Sequence, residues 1–230
     1  MQNLEFLMLP FLTLSKSNSI LAFMEQTESK TLKKILKVAA KEFLKHGFKD
    51  ASLREIVKKA GVTTGAFYGY FKSKEELFDA LVKEHADTVL KIYDDVLEEF
   101  QKLSFEKQRA SMESFSSVGI HRMFEYVWNH KEPFHLIASA SAGTRYENFI
   151  GDITKRDLNS TENFYGVLES VGKKVERVDI LIEEMVIKST FSLFFELILK
   201  DLPKEEVERG LSQLFDFYRG GWNNLMHFAE

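Results

Sequence analysis

Residues 51–77 read ASLREIVKKAGVTTGAFYGYFKSKEEL, and three helix starts are spelled out in that stretch. Ser52 is followed three residues later by Glu55, a hydroxyl at an N-cap with a carboxylate placed to answer it, which is the capping box. It predicts a helix from about Leu53 through Ile56 and Val57, ending before Gly61. Gly61–Val62 makes a tight turn, after which Thr63 caps a short helix from Thr64 to Tyr70. Ser73 and Glu76 form a second capping box and open a long helix that continues to about Phe100. Two short helices joined by a glycine-containing turn and followed by a long one form a helix-turn-helix arrangement.

Upstream, Leu32, Ile35, Leu36, Ala39 and Phe43 recur at helical spacing and give a preceding helix one apolar stripe. His46–Gly47 ends that helix, with Gly47 suited to a left-handed position. From Lys30 to Lys74 there are twelve Lys and Arg against three acids, a local charge of +9 in a chain whose formal charge is −4. A basic block on an acidic body is the footprint of a nucleic-acid binder. Leu4–Leu14 is apolar but carries Glu5, has no basic segment before it, and is too short to span a bilayer. The polar run from Met24 then leads into the first amphipathic helix. The expectation is that translation begins at Met24 or that residues 1–23 are a dispensable arm.

A helix entering the major groove must keep its leading side chains small so that its backbone approaches the bases. Thr63, Thr64, Gly65 and Ala66 satisfy this, with two hydroxyls for base edges or phosphate. Phe67 and Phe71 should face inward and lock the short helix in place. Tyr68 and Tyr70 point elsewhere, with hydroxyls to donate to phosphates, and Lys74 adds a cation at the start of the long helix. Ser52 offers the same kind of contact.

The run from Ala39 and Phe43 through Ala51–Ser52–Leu53–Arg54–Glu55–Ile56 and Ala60–Gly61–Val62–Thr63–Thr64–Gly65–Ala66–Phe67–Tyr68–Gly69–Tyr70–Phe71–Lys72–Ser73–Lys74 resembles the DNA-binding domain of TetR-family repressors. The resemblance covers about fifty residues. It implies an all-helical dimer that releases DNA when a small molecule enters its C-terminal domain. By position it assigns Thr63, Thr64, Gly65 and Ala66 to the major groove, and Ser52, Tyr68, Tyr70 and Lys74 to phosphates. Tyr70 stands where His is frequent in the family. Gly69 is a poor helix former at a surface position, costing about 0.8–1.0 kcal/mol against Ala.

Further helices are expected near 105–129, 133–141, 145–171, 178–200 and 203–227, with no strand, giving an all-α chain. The expected organisation is an N-terminal extension over 1–26, a three-helix helix-turn-helix domain over 27–76, and a larger helical effector-binding and dimerisation domain over 77–230, joined to it by a long helix. Ile180–Leu199 is apolar on most faces and must be buried on most of them. With the last helix it suggests a four-helix bundle between two subunits, built from Phe191, Phe194, Phe195, Ile198, Leu211, Leu214, Phe215, Tyr218 and Trp222. The resemblance puts the dimer interface on the same two helices. A homodimer implies two recognition helices about 34–36 Å apart and an inverted-repeat site on double-stranded DNA.

Aromatic residues are dense between 105 and 172, and apolar walls with a few polar groups suit a small-molecule pocket. Phe115, His121, Phe124, Glu125, Trp128, His135, Tyr146 and Phe164 are its candidates, for an unknown effector. His121 and Glu125 share a helix face, and with His135 they have the makings of a metal site; a hydrogen-bonded His–Glu pair is the simpler outcome, and no metal or cofactor is expected. With no Cys, thiolate zinc sites, iron–sulfur clusters and a Cys nucleophile are excluded within the chain, which fits a reducing cytoplasm. No phosphate loop, nucleophile elbow or metalloprotease motif is present, so no catalysis is expected. The resulting expectation is a transcriptional repressor whose effector acts by moving the long helix. Activation, a nucleoid role and a non-catalytic protein-interaction module are its alternatives.

Overall fold

The computed structural model describes residues 9–172 and 177–225, with side chains over 30–108, 118–172 and 177–225. The expectations placed on the side chains of residues 1–26 and on Phe115 fall outside these. The described chain is all-α, with no strand among the described residues. In order it forms α1 (Leu9–Asp50), α2 (Leu53–Ala60), α3 (Thr64–Tyr70), α4 (Lys74–Gln101), α5 (Phe105–Asn129), α6 (Lys131–Ala140), α7 (Phe149–Ser170), α8 (Ile180–Leu199) and α9 (Lys204–Leu225).

The chain divides into two compact units, one comprising 1–46 with 50–81 and the other 47–49 with 82–230. The division falls within α4, after Leu81. In the first unit Ile35, Ala39 and Phe43 of α1 are buried with Ile56 of α2, Phe67 of α3, and Leu77 and Phe78 of α4. The rings of Phe43 and Phe78 meet edge to face at 5.1 Å. Gly47 interrupts α1 at φ 73°, ψ 165°. Its φ is positive, as the glycine suggests, but its ψ is extended, so the chain turns out of the helix without closing a left-handed cap.

The second unit packs the rest of α4 with α5–α9. Gly119 of α5 lets that helix approach α4 closely, since a Cβ there would fall 2.8 Å from Val96. Phe134 of α6 and Phe149 of α7 pack on Phe195 of α8, each with ring centroids 5.7 Å from it. The α6–α7 connection is longer than its composition suggests, and α7 begins at Phe149, not near 145. Gly143 takes φ 90°, and the Thr144 hydroxyl both donates to the Ser141 carbonyl at 2.7 Å and accepts from the Tyr146 amide at 3.1 Å. These side-chain bonds hold the backbone in turns where apolar periodicity alone reads helix.

The residues expected to line a bundle of α8 and α9 between two subunits fall into two groups. Phe191, Phe194, Phe195, Ile198 and Leu211 are buried within the subunit, where α5, α6, α7 and α9 cover them; they are core. Leu214, Phe215, Tyr218 and Trp222 are half-buried along α9. The apolar residues left open are on other faces, chiefly Ile182, Met185 and Leu193 of α8 and Phe217 of α9, the last 75% exposed.

Candidate nucleic-acid interface

Each of the three helix starts in 51–77 is capped by its own side chain. The Ser52 hydroxyl accepts from the Glu55 amide at 3.3 Å, Thr63 from Ala66 at 3.1 Å, and Ser73 from Glu76 at 3.1 Å. The return arms of the two capping boxes differ from the simple pattern. Glu76 reaches back to the amide of Lys72 at 2.5 Å, one residue before the cap. The Ser52 amide is taken by the Glu42 carboxylate of α1, so a helix-to-helix bond replaces the local one.

Glu42 is 4% exposed and receives Lys59 of α2 at 2.7 Å. The hydrogen bond from Lys59 holds its carboxyl below the ordinary range despite burial. An interior charge of this kind ties α1 to α2 and fixes the platform on which α3 sits. Gly61 makes the turn to α3 in the left-handed conformation at φ 65°, ψ 34°, its amide donating to Lys58. This is the conformation glycine adopts without steric cost.

Helix α3 buries Phe67, with Phe71 buried at its end, and Phe67 packs on Phe71 with ring centroids 5.8 Å apart. Held from inside, the helix presents Thr63, Thr64, Gly65 and Ala66 to solvent. Tyr68 is 52% exposed, its ring edge-on to Phe67 at 5.5 Å. Tyr70 is half-buried, and Lys74 donates to the Ala51 carbonyl at 3.2 Å, which anchors the start of α4 beside the α2 cap. Ser52 is half-buried at that cap. All eight residues singled out from the sequence therefore lie on α3 or at the starts of α2, α3 and α4, within one unit, and the four expected at the groove are exposed.

The candidate effector residues are not gathered into one place. Phe124 and Trp128 pack together at 5.8 Å, with Lys131 over the Trp128 ring at 3.5 Å. Phe164 packs on Phe100. His135 and Tyr146 border an open groove of about 600 Å³ between α6 and α8, together with Phe149, Phe195 and Leu199. His121 is exposed, and Glu125 accepts from Lys204 of α9 at 2.7 Å. The expected His121–Glu125 pair is thus replaced by an ion pair across helices. Among the described residues no group of three metal-binding side chains is brought together. An interior polar group that the sequence reading did not single out joins Tyr93, Asp157 and Glu183 with Tyr165; its one signal is the four-residue spacing of Asp157, Thr161 and Tyr165.

A helical chain with a capped, small-fronted third helix on a charged platform is a helix-turn-helix protein. Residues 35–81 match the family model of bacterial regulatory proteins, tetR family. The chain is similar to an uncharacterized HTH-type transcriptional regulator, YdgC, of Bacillus subtilis, 48% identical over 65 residues, 28% of this chain and 33% of that protein. It is also similar to the HTH-type transcriptional repressor KstR2 of Mycobacterium tuberculosis, 30% identical over 87 residues, 38% of this chain and 44% of that one. The chain therefore spans less than half the length of these relatives. Among solved structures, the fatty acid degradation regulator FadR of Bacillus halodurans superposes with a TM-score of 0.50 at 16% identity, over 83% of this chain and 95% of that one. That likeness is one of fold.

Proposed function

We propose that this chain is a sequence-specific DNA-binding transcriptional regulator, a homodimeric repressor that leaves an inverted-repeat operator when a small-molecule effector binds. The observation that carries the reading is the exposed edge Thr63–Ala66 on a short helix anchored by Phe67 and Phe71, within a segment of net charge +9. Hydroxyls and a nearly bare backbone suit base edges, while Ser52, Tyr68, Tyr70 and Lys74 offer donors to phosphates on either side. The relatives matched by this segment are named as transcriptional regulators and a repressor.

Pairing of two copies through α8 and α9 is supported by the open apolar faces bearing Met185, Leu193 and Phe217. Helix α4 passes from the first unit to the second after Leu81, and an effector acting on its later half is the natural route to its first turn. Binding must then differ between the DNA-bound and released states, because coupling is a difference of affinities. No described helix is long and apolar enough to cross a membrane, and a site of action on cytoplasmic DNA accords with this.

The test is a titration of the purified protein against the DNA upstream of its own gene, against a scrambled duplex, and with Tyr68→Ala in parallel. Binding at least about 10³-fold tighter than to the scramble, weakened roughly tenfold by the substitution, is expected. If selection from random DNA enriches no motif, the regulator reading fails.

A further inference from the structure

We propose that Tyr93, Asp157, Tyr165 and Glu183 form a binding site for an organic cation, an alkyl- or arylalkyl-ammonium group, inside the second unit. This rests on the effector-responsive reading above and names the chemical class of the effector.

Asp157, Thr161 and Tyr165 lie four residues apart on α7 and so share one face of it. Tyr93 of α4 meets that face, its hydroxyl donating to Asp157 Oδ2. Glu183, in the first turn of α8, is 3% exposed, and its Oε1 has no hydrogen-bond partner among the described residues. The Tyr165 hydroxyl, also buried, faces the Val178 backbone amide and has no side-chain partner among the described residues. Burial raises the Glu183 carboxyl above its ordinary range; the neighbouring Thr161 hydroxyl opposes this, and the charge of Asp157 adds to it. Asp157 is raised by burial as well, against the bond from Tyr93.

The buried Glu183 and the half-buried Asp157 thus stand close together, with no buried cation beside them among the described residues. Among the described residues the cation that acts on Glu183 is Arg177. Its guanidinium is engaged by Glu162 at 2.8 Å and Glu169 at 3.1 Å, and it lies over the Tyr165 ring at 5.2 Å. A buried acid left in this way is costly unless something neutralises it or supplies a donor. Glu183 Oε1, Asp157 and the Tyr165 oxygen are all acceptors. An ammonium carries three donors and no acceptor, so it answers this set group for group. The walls suit the same guest, since Tyr93 stands edge-on to Phe191 at 5.3 Å and a desolvated cation is attracted to aromatic faces. A carboxylate ligand would instead bring a third negative charge into the cluster.

The experiment is calorimetric titration of the full chain with three compounds of one skeleton: 4-phenylbutylammonium, 4-phenylbutanol and 4-phenylbutyrate. The ammonium should bind at least tenfold tighter than the alcohol, and the carboxylate should be the weakest. Glu183→Gln, nearly isosteric, should erase the preference for the ammonium, and Asp157→Asn should reduce it, so the result does not depend on one variant folding. Equal binding of alcohol and ammonium, preference for the carboxylate, no binding of the ammonium, or an unchanged preference in both folded variants would overturn the proposal. Operator binding by the same proteins is measured alongside. Absence of any ammonium preference in the parent protein with DNA binding intact refutes the ligand class alone, whereas cation binding by the parent without sequence-specific DNA binding refutes the regulator reading.

Discussion

Gly69 sits on the exposed side of α3, and a Cβ built there meets nothing within 4 Å. Its conformation is helical and needs no glycine, so Gly69→Ala should stabilise the protein by about 0.8–1.0 kcal/mol, read as a higher denaturation midpoint with an unchanged slope. At Glu42 the expected effect depends on pH. The bond from Lys59 lowers its carboxyl from the ordinary 4.5, so the stabilisation it brings is present above that value and is lost as pH falls through the lowered one. Lys59→Met should therefore depress the melting temperature most near neutrality. The gap to the parent protein should narrow in acid, and a gap that widened there would show that the pair does not stabilise α1 against α2.

Single elements differ in how much of them can be read in advance. The starts of α2, α3 and α4 follow from Ser52, Thr63 and Ser73, because a cap is a local bond between a side chain and an amide two or three residues on. The exit from α1 and the start of α7 are less legible. The first depends on the ψ of one glycine, and the second on hydroxyl bonds of Ser141 and Thr144 that compete with helix. The α8 sequence shows that most of the helix is apolar but not which part its own subunit covers. Likewise Glu125 shares a helix face with His121, yet its partner is Lys204, 79 residues away. The interior group at Glu183 was illegible for the same reason, since its members come from three helices. Helix α8 also has a clean local feature: the Asp179 side chain accepts from the Leu181 amide at 2.9 Å. Asp179→Ala should cost about 1 kcal/mol, measurable by chemical denaturation.

At the scale of the molecule, charge and apolar surface are segregated. The basic segment 30–74 offsets an acidic remainder, which favours approach to DNA by one region and gives binding a steep dependence on salt. The open apolar residues of α8 and α9 are the surface proposed for a second copy. Phe217→Glu should convert the proposed dimer to monomer in sedimentation while leaving the helix content of the subunit unchanged, because that side chain is 75% exposed. A monomer carries a single recognition helix, so the same variant should bind an isolated half-site as the parent does and lose its advantage on the full inverted repeat. The two tryptophans give this molecule a one-sided optical signature. Trp128, beneath the Lys131 ammonium, and Trp222 of α9 both belong to the second unit, and the first has no indole. Tryptophan emission, excited selectively over that of Tyr68 and Tyr70, therefore reports on one unit only, while circular dichroism sums the helices of both. A melt that loses ellipticity before the emission shifts would mark the DNA-binding unit as the first to unfold, with no label added to the chain.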